Sequence, residues 1–114
     1  MKTSLIILCL FISEMVLAQD GNAEKGHETY DQWCTPCHGA GAGFLGPQSQ
    51  LPGTAALQAL YKGERPAVLS ERNDLTAEYI EIIVRNGRSI MPFFRKTEVS
   101  DQDLRNITAY LIKK

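Results

Sequence analysis

Only three cysteines occur in this chain of 114 residues, and one of them, Cys9, lies inside an N-terminal apolar tract. The other two, Cys34 and Cys37, sit in one short motif, so no disulfide framework is present elsewhere to hold a small domain together. An excess of one charge sign is also missing. Twelve Lys and Arg stand against 13 Asp and Glu, for a formal net charge of −1, and nothing in that balance suggests a nucleic-acid partner. No apolar run reaches the ~20 residues of a membrane span; the longest, Leu5 to Ile12, is followed by Glu14, which would be costly in lipid. Sustained period-two alternation is absent, and the β-branched cluster Ile80 to Val84 falls inside a helical stripe. Without internal repeats or an interior linker, the chain reads as a single all-α domain.

The opening tract MKTSLIILCLFISEMVLAQ has the layout of a secretory signal peptide: Lys2, an apolar core, and small residues ending at Ala18. Cleavage after Ala18 is expected, leaving residues 19–114 as a periplasmic domain with no stable membrane insertion. A domain of that size buries only about 60 to 65% of the surface its unfolded chain exposes, so its stability is marginal. A large apolar cofactor would add to the core.

Four helices are expected. Asp20 to His38 carries Ala23, Gly26, Tyr30, Trp33 and Cys37 at helical intervals, Thr54 to Lys62 follows Pro52-Gly53, and NDLTAEYIEIIVRNG offers Asp74 or Thr76 as an N-cap and Gly87 as a C-cap. Its apolar stripe reads as Leu75, Tyr79, Ile82 and Ile83. In the last helix Ser100 to Asp103 resembles a capping box, Leu104, Ile107 and Leu111 share a face, and Lys113 and Lys114 suit the C-terminal end of the dipole.

The motif WCTPCHG, Trp33 to Gly39, carries two incompatible chemistries. Trp-Cys-x-Pro-Cys suits a thioredoxin-like dithiol oxidoreductase, but that site needs a hydrophobic strand leading into it. The preceding EKGHETYDQ cannot form one. Cys-x-x-Cys-His suits covalent attachment of haem c: cysteines three apart on a helical turn project from the same side and can form two thioethers to one porphyrin edge, with His38 delivered next to them as an iron ligand. Structural zinc would need a fourth ligand, and the only other histidine, His27, reads as a solvated helix residue. Pure electron transfer calls for a second axial ligand, whereas an open position favours small-molecule binding. Met1 and Met15 leave with the leader. Met91, in NGRSIMPFF, sits in a loop stiffened by Pro92, and spacing alone leaves it either a core filler or a ligand.

From Gly26 through Tyr110 the chain resembles the class I c-type cytochromes. The resemblance rests on Gly26 and Tyr30 before the motif, CTPCH itself, Gly46-Pro47 beyond it, Met91-Pro92, and the final LRNITAYL. It implies that the first and last helices cross through Gly26, Tyr30 and Tyr110, that one haem is carried per chain, and that Met91 is the second axial ligand beside His38. It also implies a proline carbonyl accepting the His38 ring proton; GPQSQLPG departs from the usual spacing, so Pro47 is the first choice and Pro52 the competitor. Expected pocket residues are Phe44, Leu45, Leu57, Leu60, Leu75, Tyr79, Ile82, Ile83, Phe93, Phe94 and Leu104, which could equally form ordinary core. VRNGRSIMPFF is similar to the haem subunit of flavocytochromes such as p-cresol methylhydroxylase, which implies redox partner proteins including a flavoprotein dehydrogenase subunit. Arg88, Arg95 and Lys96 flank that tract and are candidates for orienting a partner. The alternative function is a haem-based gas-binding or sensing protein with Met91 off the iron.

Overall fold

The computed structural model describes residues 20–41 and 50–112. The leader 1–18, Phe44, Leu45, Gly46, Pro47, Lys113 and Lys114 lie outside the described residues. Among the described residues five helices follow in order: α1 (Ala23–Trp33), α2 (Thr35–His38), α3 (Pro52–Tyr61), α4 (Ala77–Asn86) and α5 (Asp101–Ile112), with a 3₁₀ turn at Leu69–Glu71. The described residues contain no strand; pairing of Arg88 with Met91 is an isolated bridge. The fold is all-α, as expected.

The single helix expected over Asp20 to His38 is instead two. It starts at Ala23, with the Asn22 side chain accepting the Lys25 N–H, and breaks at Cys34. The cause is Pro36, which has no N–H to donate to Gln32 and whose ring would crowd that carbonyl. A tighter turn replaces the ladder: the Cys37 and His38 amides both donate to the Cys34 carbonyl, at 3.1 and 2.8 Å.

α1 and α5 form the main crossing. A Cβ built on Gly26 would land on the Asn106 carbonyl, and one on Gly21 would land on the Arg105 carbonyl. Glycine at these positions lets the two backbones meet. Tyr30 tilts against Tyr110 at 5.3 Å, and Asn106, buried in the crossing, accepts the Asn22 N–H at 2.8 Å. His27 is not simply solvated: its ring stacks on Tyr110 at 4.7 Å, and its Nε2 lies 3.4 Å from Asp31.

Ser100 and Asp103 form the expected reciprocal cap on α5, each side chain accepting the other's backbone N–H at 3.1 Å. Leu104, Ile107 and Leu111 of α5 pack with Tyr30, Ile80, Val84 and Val99 into the core, where full burial of each large aliphatic side chain contributes about 1.5–3 kcal/mol. Thr76 caps α4 as one of the two candidates. Beside the expected stripe, of which Leu75 packs against the core, α4 has a second apolar face. Ile80 and Val84 face the core, while Tyr79 and Ile82 are 39% and 58% exposed. Apolar residues occupy five of the six positions from 79 to 84, so α4 has two apolar faces and periodicity cannot choose which one packs. Leu104 likewise belongs to the core.

Candidate functional site

Cys34, Cys37 and His38 lie within one turn on α2 and its N-terminal flank. Both thiols are free; Cys34 is half-buried against the core and Cys37 is exposed. Burial, reinforced by the neighbouring Cys37, pushes the Cys34 thiol up to about 12. A reactive dithiol needs a depressed value, so this environment is unlike an oxidoreductase site, and the strand such a site requires is absent among the described residues.

α3 holds this turn from behind. The Thr54 hydroxyl, itself buried, donates to the Gly39 carbonyl at 2.8 Å, with Cys37 O at 3.5 Å. Beside it, Gly53 packs on the imidazole so closely that a Cβ there would stand 2.7 Å from Cys37 O, 2.8 Å from His38 Cε1 and 2.9 Å from Nδ1. His38 Nδ1 is enclosed and has no hydrogen-bond partner among the described residues. Ligation would therefore fall to Nε2, with the ring proton on Nδ1 wanting an acceptor. Pro52, at the start of α3, does not supply it; Pro47, the first choice for this role, lies outside the described residues. Burial lowers the His38 pKa, which favours the neutral imidazole a metal requires.

Met91 arrives on a closed loop between α4 and α5. The Arg88 and Met91 backbones exchange hydrogen bonds at 3.0 and 3.1 Å around a turn in which Ser89 takes φ 55°. Gly87, with φ 70°, ends α4, and a side chain there would meet Met91 O at 2.6 Å and Phe93 N at 2.9 Å. Phe94 N donates back to Val84 O at 2.8 Å. The loop and the Cys-x-x-Cys-His turn are joined through an edge-on contact of Trp33 and Phe94, ring centroids 5.9 Å apart.

The donors fit a haem c. Two unpaired thiols and a neutral imidazole with an enclosed Nδ1 share one turn, a thioether stands on a loop packed to that turn, and Leu60, Tyr79, Ile82 and Phe93 expose apolar surface that a porphyrin could cover. No cluster of three or more His, Cys, Asp or Glu suited to a simple metal ion occurs among the described residues, and none of their helices is long and apolar enough to cross a membrane.

Of the residues singled out from sequence, Cys34, Cys37 and His38 are brought together, and Met91 is linked to them through Phe94 and Trp33. Local pattern did not point to Gly53, Thr54 or Arg85; the tract Pro52-Gly53-Thr54 reads only as a helix start.

This architecture and motif define a small all-α c-type cytochrome. Residues 21–111 match the family model for cytochrome C oxidase, cbb3-type, subunit III, and the chain belongs to that family of cytochrome c domains. It is a haem c electron carrier with one covalently bound haem. Among solved structures, cytochrome c6 from the diatom Phaeodactylum tricornutum is 26% identical, the alignment covering 82% of this chain and 93% of that one with a TM-score of 0.47. No curated protein matches the chain.

Proposed function

We propose that the chain is a periplasmic carrier of single electrons in which Cys34 and Cys37 bind haem c as thioethers and His38 Nε2 and the Met91 thioether are the axial ligands. The observation that carries this reading is the pinned Met91 loop, closed on α4 by Gly87 and Phe94 and packed through Phe94 on the residue preceding Cys34. When bound, haem c supplies one-electron exchange between ferric and ferrous iron. The chain's own residues do the rest. His38 is held by Gly53 packing, so little ordering remains when its nitrogen ligates. The Met91 sulfur donates weakly and favours the ferrous state, which raises the potential relative to a second imidazole. Because both ligands stand on fixed elements, electron transfer requires little rearrangement.

Partner contact is proposed around the Met91 loop, where Ile90 is 76% and Phe93 59% exposed. Arg95 and Lys96 are paired with Glu98 and Asp101. Arg88 makes no ion pair among the described residues, and its reach to Tyr79 Oη at 3.5 Å leaves it the cation suited to orient a docking protein. A small apolar rim with one cation suits transient redox contacts. The donor is proposed to be a dehydrogenase, flavin-containing on the resemblance of VRNGRSIMPFF.

The test is the visible spectrum of the exported protein made with a haem c maturation system, before and after acid-acetone extraction. Colour retained by the chain is expected for wild type and Met91→Ala and lost in Cys34→Ala/Cys37→Ala. Reduced Met91→Ala should bind carbon monoxide readily while wild type does not. Ready binding by wild type would mean an open sixth position and the gas-binding function instead.

A further inference from the structure

The Met91 loop is held by a side chain with no part in ligation. Arg85, on the last turn of α4, is largely buried, its side chain 17% exposed. Its guanidinium reaches the segment beyond Met91: Nη1 donates to the carbonyls of Val99 at 2.7 Å and Phe94 at 3.2 Å, and Nη2 to Asp101 Oδ1 at 2.9 Å. Three acceptors spread over residues 94–101 thus converge on one cation. Asp101 is held in turn by Lys96 Nζ at 2.7 Å.

The consequence follows from chain connectivity. Residues 87–94 leave α4 at Gly87 and return to it at Val84, through the Phe94 amide. Arg85 fastens the return, gripping the Phe94 carbonyl while the Phe94 amide is bonded to Val84, so Phe94 is tied to α4 on both sides of its backbone. Charge-assisted bonds of this kind are about twice as strong as neutral ones. The planar fork is what lets one residue reach separate acceptors, which an ammonium matches poorly. A thioether is a weak ligand, so it competes with external ligands largely through being presented in place.

We propose that Arg85 is a positioning residue for the axial sulfur: by fastening residues 94–101 to α4, it fixes where Met91 presents its thioether and protects that ligand from replacement. The proposal rests on the reading of Met91 as an axial ligand. Losing these charge-assisted hydrogen bonds should let a competing ligand enter at about a tenfold lower concentration, equivalent to about 1.4 kcal/mol.

The experiment titrates imidazole into the ferric holoprotein and follows the visible spectrum in wild type, Arg85→Met, Arg85→Lys, Met91→Ala and Asn106→Ala. Asn106→Ala loses stability at the α1–α5 crossing, away from the loop. Met91→Ala should bind imidazole most tightly, Arg85→Met at about tenfold lower concentration than wild type, Arg85→Lys in between, and Asn106→Ala as wild type does. Wild-type affinity in the Arg85 variants, with Met91→Ala open, would overturn the positioning role and leave the ligand intact. An Asn106→Ala response equal to that of Arg85→Met would also overturn it, as general loosening. A Met91→Ala protein that binds imidazole no better than wild type would remove the axial assignment and this proposal with it. Should Arg85→Met not fold, Arg85→Lys, which keeps the charge beside Asp101, carries the comparison.

Discussion

Gly53 and Thr54 are neighbours on α3 that support the Cys-x-x-Cys-His turn by opposite means, one by having no side chain and the other by donating a hydroxyl proton. In Gly53→Ala the new methyl must displace either the Cys37 carbonyl or the His38 ring, since both stand under 3.0 Å from it. Overpacking of this kind costs about 1–3 kcal/mol. The imidazole is the softer neighbour, being a side chain rather than backbone, so the expected outcome is a rotated His38 with haem still attached. The reduction potential and the low-spin spectrum should shift together with the denaturation midpoint. In Thr54→Val the shape is kept and the Gly39 carbonyl loses its 2.8 Å partner, for a loss of about 1–3 kcal/mol. Urea denaturation of the holoprotein should show that loss with little change in potential. Equal potential shifts in both variants would mean that α3 sets the turn as a whole and that Gly53 has no separate grip on the ring.

Between elements, the α1–α5 crossing decides whether the fold closes at all. Gly26→Ala would drive a methyl into the Asn106 carbonyl, which is helix backbone and cannot step aside alone, so the helices must separate and the surrounding core must loosen. A cost of at least about 1–3 kcal/mol is expected in chemical denaturation. An Ala variant of wild-type stability would show that the crossing has slack. The crossing through Gly26, Tyr30 and Tyr110 is legible only through the resemblance to class I c-type cytochromes, whereas the Ser100 to Asp103 cap, Thr76 as one of two cap candidates and the motif itself are legible from residues close in sequence. The break at Cys34 was readable too, since Pro36 states it, but helical periodicity through the motif masked it. The face of α4 was not readable, because Tyr79, Ile80, Ile82, Ile83 and Val84 give every orientation an apolar side. Least legible were the polar residues acting at long range. Asn106 meets the Asn22 amide 84 positions away, and Arg85 meets Val99 and Asp101 across the loop. Nothing local in RNG or LRNIT marks those partners.

At the scale of the whole molecule, a near-neutral charge leaves little overall repulsion, so pH dependence should come from particular carboxylates. Three are held below their ordinary range: Asp74 chiefly by the hydrogen bond from Arg72, Glu98 by that from Arg95, and Asp101 by that from Lys96 and then by Arg85. A carboxylate with a depressed folded pKa contributes stability that is fully present above its unfolded value and is lost as pH falls through the folded one. Holoprotein stability should therefore be flat near neutrality and fall on the acid side, through and below the ordinary carboxylate range near 4. The three do not contribute alike. Glu98 and Asp101 belong to pairs whose partners include well-exposed cations, which water and salt screen. Asp74 receives two 2.7 Å bonds from Arg72, whose side chain is buried and also donates to the Tyr61 hydroxyl at 2.8 Å. Protonating Asp74 removes a carboxylate charge from beside a buried cation, which is the costlier event. Urea midpoints measured from neutral pH to about pH 3 should thus show the acid-side slope reduced most by Asp74→Asn, with the variant already weakened at neutral pH, and only slightly by Glu98→Gln. High salt should narrow the Glu98 contribution and leave that of Asp74 largely in place. If Asp74→Asn kept the wild-type slope, the acid response would belong to the exposed pairs instead, and salt alone should then abolish it.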